Sequence, residues 1–244
     1  MRAATLLFLA TLVAGCATPP AMKLAPALAG IPPSPVNGRQ AVLGQGTMSF
    51  DRWSSTAPAR IPNDRWSRLS PELATGTNET TGLDIERAAI EFAVGAAAGG
   101  PQTTVTCVLR GRFARRVQYR GRTTDETTVN IPGYPRIDCE FSGAEAGKLA
   151  LRPSWLTQRD SGTAVFGARR FVVESVNSTQ GSNFPLARFG YQLSVGSRAV
   201  AAVETFGTGR VWIDPSLRAR EQEQIAVATT ALLYYASLLE LAED

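Results

Sequence analysis

Arginine is the side chain whose spacing in this sequence most clearly suggests a chemical role. Between positions 110 and 122, five arginines fall at even positions, namely Arg110, Arg112, Arg116, Arg120 and Arg122. Arg115, at an odd position, is the exception. Alternate residues of a strand lie on opposite faces, so the pattern predicts a β-hairpin with one basic face. Guanidinium groups bind phosphate and carboxylate through paired hydrogen bonds, which suits lipid headgroups, lipopolysaccharide phosphates or an acidic protein. The alternative is a solvated outer face whose charge is balanced by Asp125, Glu126, Asp138 and Glu140.

Carboxylates are the remaining candidates for chemistry. Four glutamates lie in strand-like runs, where two of them could serve a hydrolase as general acid and base; these are Glu91, Glu140, Glu174 and Glu204. The chain has no histidine, which removes the commonest general base and the commonest metal ligand. No nucleophile motif, phosphate-binding loop or metal-ligand spacing occurs. We therefore expect no catalytic residue, no cofactor and no metal, and keep a carboxylate-pair hydrolase as the alternative.

The first fifteen residues have the three parts of an export signal. Arg2 is followed by an uncharged apolar run over residues 3–13, and the small residues Ala14 and Gly15 come next. The apolar run is too short to span the ~30 Å hydrocarbon core of a bilayer as a permanent helix. Residues 1–15 are therefore predicted to be a signal peptide.

Residues 12–16, which read Leu-Val-Ala-Gly-Cys, resemble the bacterial lipobox. The resemblance implies that Cys16 is acylated, becomes the N-terminus after cleavage, and anchors the chain to a membrane. Ala17 stands where aspartate would favour the inner membrane, so the resemblance implies the outer membrane, with the domain facing the periplasm. Three acyl chains exceed what stable anchoring requires. The alternative is a secreted protein with a chance cysteine at this position.

Cys107 and Cys139 are the two cysteines that follow the lipobox. Each shares its parity with the apolar residues around it, so both thiols are predicted to lie on the apolar side of a sheet. An even pair in an oxidising compartment is typical of a disulfide. Such a bond stabilises the fold by roughly 3–4 kcal/mol in the chain-entropy account. Two free buried cysteines are the alternative.

The region after Cys16 is rich in proline, alanine and glycine. Its prolines are Pro19, Pro20, Pro26, Pro32, Pro33 and Pro35. This composition is typical of an extended spacer that does not pack into a core. We therefore predict a tether over residues 16–38 and a single β-rich domain over residues 39–244.

The domain reads as short alternating segments separated by glycine, proline, asparagine and serine. The clearest predicted strands are residues 104–111, 116–122, 136–142, 148–152, 163–176, 188–195, 199–206 and 210–213. Residues 85–97 fit a strand or a helix, and the strand is preferred. This spacing predicts an antiparallel barrel or sandwich.

A helix is predicted over residues 215–242, with Asp214 as its N-cap and Pro215 at its first position. Residues 225–239 carry no charge on any face, so this part must be buried in a core or a membrane. Fifteen residues span about 22 Å, which is less than a bilayer core. The many small residues make the helix thin, and we therefore expect a barrel closed around it.

The stretch from Arg198 to Pro215 has a small-residue strand, a glycine turn, a strand ending in Asp-Pro, and then the helix. This order resembles the family of tubby C-terminal domains, phospholipid scramblases and plant LURP-one-related proteins, in which a barrel surrounds a hydrophobic C-terminal helix. The resemblance covers the chain from Arg198 onwards and implies that fold. Tubby proteins bind phosphoinositides through basic residues, but no motif here places such residues. The fold hosts unrelated activities, so it implies no site residue.

Taken together, these patterns predict a non-catalytic envelope lipoprotein with a binding or structural role. Removing the signal peptide removes only Arg2, so the formal net charge falls from +4 to +3. The expected partners are the membrane, through the N-terminal lipid anchor, and an anionic lipid or an envelope protein. Nucleic acid is disfavoured by the compartment.

Overall fold

The computed structural model describes residues 21–39, 46–60, 73–74, 79–120, 123–130, 136–154, 159–180 and 189–243. A short 3-10 helix spans Pro26–Leu28, and the α-helix, α1, spans Ala219–Glu243. The strands are β1 (Ser34–Pro35), β2 (Ser49–Phe50), β3 (Trp53–Ser55), β4 (Ala59–Arg60), β5 (Leu73–Ala74), β6 (Glu79–Ala96), β7 (Gln102–Arg120), β8 (Thr123–Asn130), β9 (Arg136–Gly143), β10 (Gly147–Ser154), β11 (Arg159–Phe166), β12 (Arg169–Val176), β13 (Gly190–Val195), β14 (Arg198–Glu204) and β15 (Arg210–Ile213).

Twelve of these strands form an antiparallel barrel that is nearly closed. Their order is β1-β15-β14-β13-β12-β11-β10-β9-β7-β6-β3-β2, and β4, β5 and β8 pair outside this path. The two ends of the path meet at one isolated bridge. There the N–H of Asn37 donates to the carbonyl of Ser49 over 2.8 Å, and the N–H of Ser49 donates back over 3.1 Å. The predicted barrel is confirmed, and the ambiguous residues 85–97 fall mainly in strand β6.

Two predicted strand boundaries are wrong. The strands predicted over residues 104–111 and 116–122 form one continuous strand, β7, as far as Arg120, because Gly111 stays within the ladder to β6 and does not break it. Residues 121–122 lie outside the described part of the chain. The strand predicted over residues 163–176 is instead two strands, β11 and β12. They are divided at Gly167, whose φ of +57° suits a tight reversal that other residues rarely adopt.

Helix α1 begins later than predicted. Asp214 does not cap the helix but organises the turn before it, where its carboxylate accepts the N–H of Ser216 over 2.9 Å. The first helical residue is Ala219. Glu221 accepts the N–H of Arg218 over 3.2 Å, as a glutamate in the third helical position does in a capping box. Asp214 therefore stabilises the turn that precedes α1 and leads the chain into the barrel.

The middle of α1 runs inside the barrel. All thirteen residues from position 225 to position 237 are buried. The Tyr234 ring packs on Phe92 of β6 with centroids 4.4 Å apart, and the Tyr235 ring approaches Tyr191 of β13 at 6.4 Å. Successive helical residues point in different directions, so burial of all of them requires strands on every side. The predicted enclosed helix is confirmed. Within the described residues, no helix is long and apolar enough to cross a membrane.

Residues 22–31 pack on the outside of the barrel, and residues 34–36 join the barrel itself through β1 and the buried Val36, so the tether prediction is wrong for this part of the chain. Met22 and Leu28 are buried to 1% and 0% exposure, and they form an apolar cluster with Trp212 of β15. The N–H of Met22 donates to the buried carboxylate of Glu204 over 3.0 Å. This cluster is separate from the one inside the barrel. Of the predicted tether, residues 16–20 lie outside the described part of the chain.

Two prolines of this segment, Pro26 and Pro35, take positions that need no backbone donor. Pro26 occupies the first position of the 3-10 helix, where the N–H would have no partner in any case. Pro35 lies in β1, a two-residue strand that pairs with β15. The folded domain therefore begins before residue 39, and β1 is needed to complete the barrel.

Strands β6 and β7 are much longer than the others and continue past the barrel. Residues 103–110 of β7 pair with β9 in the barrel, whereas residues 113–120 pair with β8 outside it. We call residues 79–88, 111–120 and 123–130 the arm. Because neighbouring strands are antiparallel, the arm leaves the barrel at the end where β12 and β14 finish. Helix α1 starts at the opposite end, after β15.

Candidate anion-binding site

The alternation predicted for β7 is observed where its side chains are described. Val105 and Cys107 are fully buried, whereas Arg110 lies on the opposite, outer face and is half-buried. The other even positions of β7 lie on that same face of the strand by register and include Arg112, Arg116 and Arg120. The structure thus places four of the five predicted arginine positions along one strand face. Arg122 lies outside the described residues.

The register of the barrel adds two arginines that the sequence pattern did not single out. Arg110 of β7 is directly opposite Arg87 of β6 on one side and Arg136 of β9 on the other. Residues opposite each other in neighbouring strands share a face of the sheet. Positions 87, 110 and 136 therefore form a row across three strands at the base of the arm, which we call the arginine row.

Arginines at directly opposite positions of a sheet repel one another unless acidic groups or another anion lie beside them. Like charges directly opposite each other in a sheet destabilise it. Within the described part of the chain, Arg136 approaches Asp138 at 3.6 Å, and Arg110 has no ion pair. The Nε atom of Arg110 is buried without a hydrogen-bond partner among the described residues. An unsatisfied buried donor carries a cost of about 1–3 kcal/mol.

The acids predicted to balance the basic face are distributed over both faces of the strands by register. Asp138 and Glu140 lie on the outer face, opposite Val108 and Thr106. They are therefore on the side of the arginine row that is away from the arm. Asp125 is opposite Gln118, on the face of the arm that carries the arginine positions. Glu126 is opposite Val117 and therefore lies on the other face. The four acidic residues are therefore not each placed opposite one of the arginines.

The predicted disulfide between Cys107 and Cys139 is confirmed. The two residues are directly opposite each other in β7 and β9, with Sγ atoms 2.06 Å apart. They lie three positions from Arg110 and Arg136, respectively. The strands that carry two members of the arginine row are therefore covalently joined beside it, which limits separation of Arg110 from Arg136.

The four candidate carboxylates do not converge on one site. Glu204 is buried and accepts two hydrogen bonds from Arg210, at 3.0 and 2.7 Å, besides the one from Met22. Glu174 is exposed on β12. Glu91 and Glu140 are exposed on the outer face, opposite Thr106 from either side. Among the residues that the structure describes, no group of three potential metal ligands occurs.

A second charged cluster surrounds the start of α1. Buried Glu145 accepts hydrogen bonds from Arg220 and Gln224, each at 2.7 Å. Glu221 pairs with Arg218 and Arg169, and the hydrogen bond from Arg218 is the main cause that lowers the pKa of its carboxyl. These contacts tie α1 to the turns around it, so we interpret this cluster as structural.

The chain matches no protein-family model, no curated protein and no solved structure. Its function must therefore be inferred from its own residues. Those that bear on function are the lipobox-like residues 12–16, the barrel with its enclosed helix, and the arginine row at the base of the arm.

Proposed function

We propose that this protein is a lipid-anchored, non-catalytic component of the bacterial cell envelope that binds anionic lipid headgroups. The observation that supports the binding role is the arginine row, in which Arg110 lies between Arg87 and Arg136. Three positive charges at adjacent positions repel one another, and a negatively charged ligand bound between them reduces that repulsion. The enclosed C-terminal helix supports the further proposal that the fold belongs with the tubby-like barrels.

The proposed anchor is a set of acyl chains on Cys16, with the domain in the periplasm at the outer membrane. The position of the N-terminal segment is consistent with binding to the same membrane. Met22 contacts Glu204 at the finish of β14, which is the barrel end from which the arm extends. Anchor and arm thus leave the barrel at the same end, and the arm can reach the surface to which the protein is tethered.

Phosphate headgroups fit the chemistry of the site. The planar guanidinium presents paired donors that match phosphate oxygens. Each arginine that reaches an anionic membrane surface contributes about 1 kcal/mol, and this contribution falls off within a Debye length of roughly 8 Å at physiological salt. Binding is therefore expected to weaken as salt rises. An acidic envelope protein is the second candidate partner, because its carboxylates carry the same negative charge as the headgroups.

Vesicle co-sedimentation of the mature chain, with Cys16→Ser to remove the anchor, tests this proposal. We expect stronger binding to phosphatidylglycerol vesicles than to phosphatidylcholine vesicles at low salt. Arg110→Glu combined with Arg136→Glu should abolish the difference. Arg159→Glu combined with Arg170→Glu is the matched control, because it changes the net charge by the same amount at two exposed residues of β11 and β12 outside the row. Headgroup recognition would be refuted if the chain with its native arginines bound equally to both kinds of vesicle.

The alternative of a carboxylate-pair hydrolase has less support. Glu204 is engaged by Arg210, and Glu174 lies on another strand. Glu91 and Glu140 are the remaining pair, and they occupy the exposed outer face of the barrel. General acid catalysis by a carboxyl usually depends on a desolvated setting that raises its pKa.

A further inference from the structure

We infer that the turn between β14 and β15, residues 205–209, is the part of the barrel that contacts the membrane, with Phe206 in the interfacial layer of a phospholipid bilayer. This inference rests on the proposed acylation of Cys16. It adds to the proposed function a defined orientation of the barrel and an apolar contact that the arginine row does not supply.

The first observation is that the N-terminal segment is fixed to the barrel beside this turn. The N–H of Met22 donates to Glu204, two residues before Phe206. Flanking backbone hydrogen bonds hold the same segment: Lys23 donates to Ser178 over 2.9 Å and Gln180 donates to Ala21 over 2.8 Å. The chain therefore has a set position from Ala21 onwards.

Close packing of Met22 supports this attachment. A Cβ atom at Gly190 would lie only 2.6 Å from the Met22 sulfur, so the methionine side chain occupies space that exists because position 190 is glycine. Met22 is 1% exposed. The attachment combines a buried hydrogen bond to a carboxylate with a fitted apolar side chain.

The second observation is the short distance along the chain from this attachment to the proposed anchor. Five peptide units separate Cys16 from Ala21, and an extended chain covers at most about 3.3–3.6 Å per residue. Ala21 therefore lies no farther than about 18 Å from an acylated Cys16 at the bilayer surface. That distance is shorter than the thickness of a bilayer core, which is about 30 Å. The end of the barrel that carries residues 205–209 is consequently held near the lipid.

The third observation is the character of the turn itself. Phe206 is 52% exposed, more than any other large apolar side chain among the described residues. Its ring packs on Phe189 with centroids 5.1 Å apart, and Arg39 donates to the carbonyl of Gly207 over 2.6 Å. Phenylalanine is one of the side chains that interfacial protein segments bury at the boundary of headgroups and acyl chains. Lys23, which follows Met22 in the chain and is exposed, suits the headgroup layer. The turn thus presents the Phe206 ring, which packs on Phe189, at the end of the barrel that is held near the bilayer.

The test uses the mature chain coupled by its Cys16 thiol to phosphatidylcholine vesicles that contain maleimide-phosphatidylethanolamine. Cys16 is the one reactive thiol, because Cys107 and Cys139 form the disulfide. Amide hydrogen exchange is then compared with that of the uncoupled chain. We expect coupling to slow exchange severalfold in residues 205–209 and to leave residues 143–147, at the opposite end of the barrel, unchanged.

Matched variants separate a fixed orientation from simple proximity. Met22→Asp places a carboxylate beside Glu204 and should abolish the protection, whereas Ala27→Asp, at an exposed position of the same segment, should retain it. A long Gly-Ser insertion between Cys16 and Ala21 should also abolish it, even if Met22→Asp fails to fold. Protection that is absent in the coupled parent chain, or equal at both ends, would overturn the inference. Chemical coupling makes this result independent of acylation in cells, so failure of the proposed anchor is a distinguishable outcome.

Discussion

Substitution of Ala231 by tryptophan should strongly destabilise the protein, because Ala231 lies at 0% exposure inside the barrel. Overpacking of a filled core costs typically 1–3 kcal/mol and occasionally more, and alanine to tryptophan is an extreme increase in volume. Leu232→Ala provides a second perturbation of the opposite kind. It removes a fully buried side chain from the same helix turn and should cost roughly 2–5 kcal/mol.

The assay is urea unfolding followed by far-UV circular dichroism, with the disulfide intact in every variant. A urea slope of about 1–3 kcal/mol per molar means that a loss of 3 kcal/mol lowers the midpoint by at least about 1 M. Ala219→Trp is the matched control, since Ala219 is exposed at the first position of the same helix. If Ala231→Trp and Ala219→Trp unfold at the same urea concentration, α1 does not lie at the centre of the core.

Three further predictions concern single contacts. Tyr234→Phe removes a hydroxyl that lies 2.9 Å from the Ser55 hydroxyl and should lower the free energy of unfolding by about 1 kcal/mol, measured in the same urea assay. The pKa of Glu221 is lowered, chiefly by its hydrogen bond from Arg218, so its contribution to stability is present above the ordinary value of 4.5 and is lost as the pH falls through the folded value. Glu221→Gln should therefore destabilise the protein at pH 7 and have little effect in strong acid, and a penalty that does not change with pH would contradict this. Reduction of the bond between Cys107 and Cys139 should lower stability by roughly 3–4 kcal/mol. Identical urea midpoints with and without reductant, after both thiols are shown to be alkylated, would contradict the last prediction.

Features that depend on local alternation could be predicted from the sequence. The outward position of Arg110 and the inward position of Cys107 follow from a period of two, which burial of one sheet face enforces. The enclosed helix could be predicted because residues 225–237 have no polar stripe, and only a core on all sides accommodates such a surface. In both cases the signal lies within the segment itself.

Features that depend on pairing between distant segments could not be predicted. The arginine row exists because Arg87 and Arg136 are in register with Arg110, and no local pattern specifies that register. The continuity of β7 through Gly111 has a similar cause, since the partner strand β6 supports the glycine from one side. Glycine is only modestly unfavourable within a strand, and long-range pairing outweighs it.

The N-terminal segment shows why composition alone misled. Its proline-rich composition predicts an extended chain, but Pro26 begins a short 3-10 helix. Composition does not reveal that Met22 and Leu28 fit an apolar surface made by β13–β15, because that surface is assembled from residues far along the chain. The segment is largely irregular but packed, and the position of the proposed anchor relative to the barrel depends on that packing.

Mass spectrometry of the N-terminal peptide from membrane fractions tests the central claim most directly. Trypsin should release residues 16–23, which end at Lys23. An anchored lipoprotein predicts that this peptide begins at Cys16 and carries the added mass of a thioether-linked diacylglyceryl group and an amide-linked acyl chain. An unmodified Cys16, or a mature chain that still contains the residues before it, would contradict the membrane anchor on which the proposed function depends.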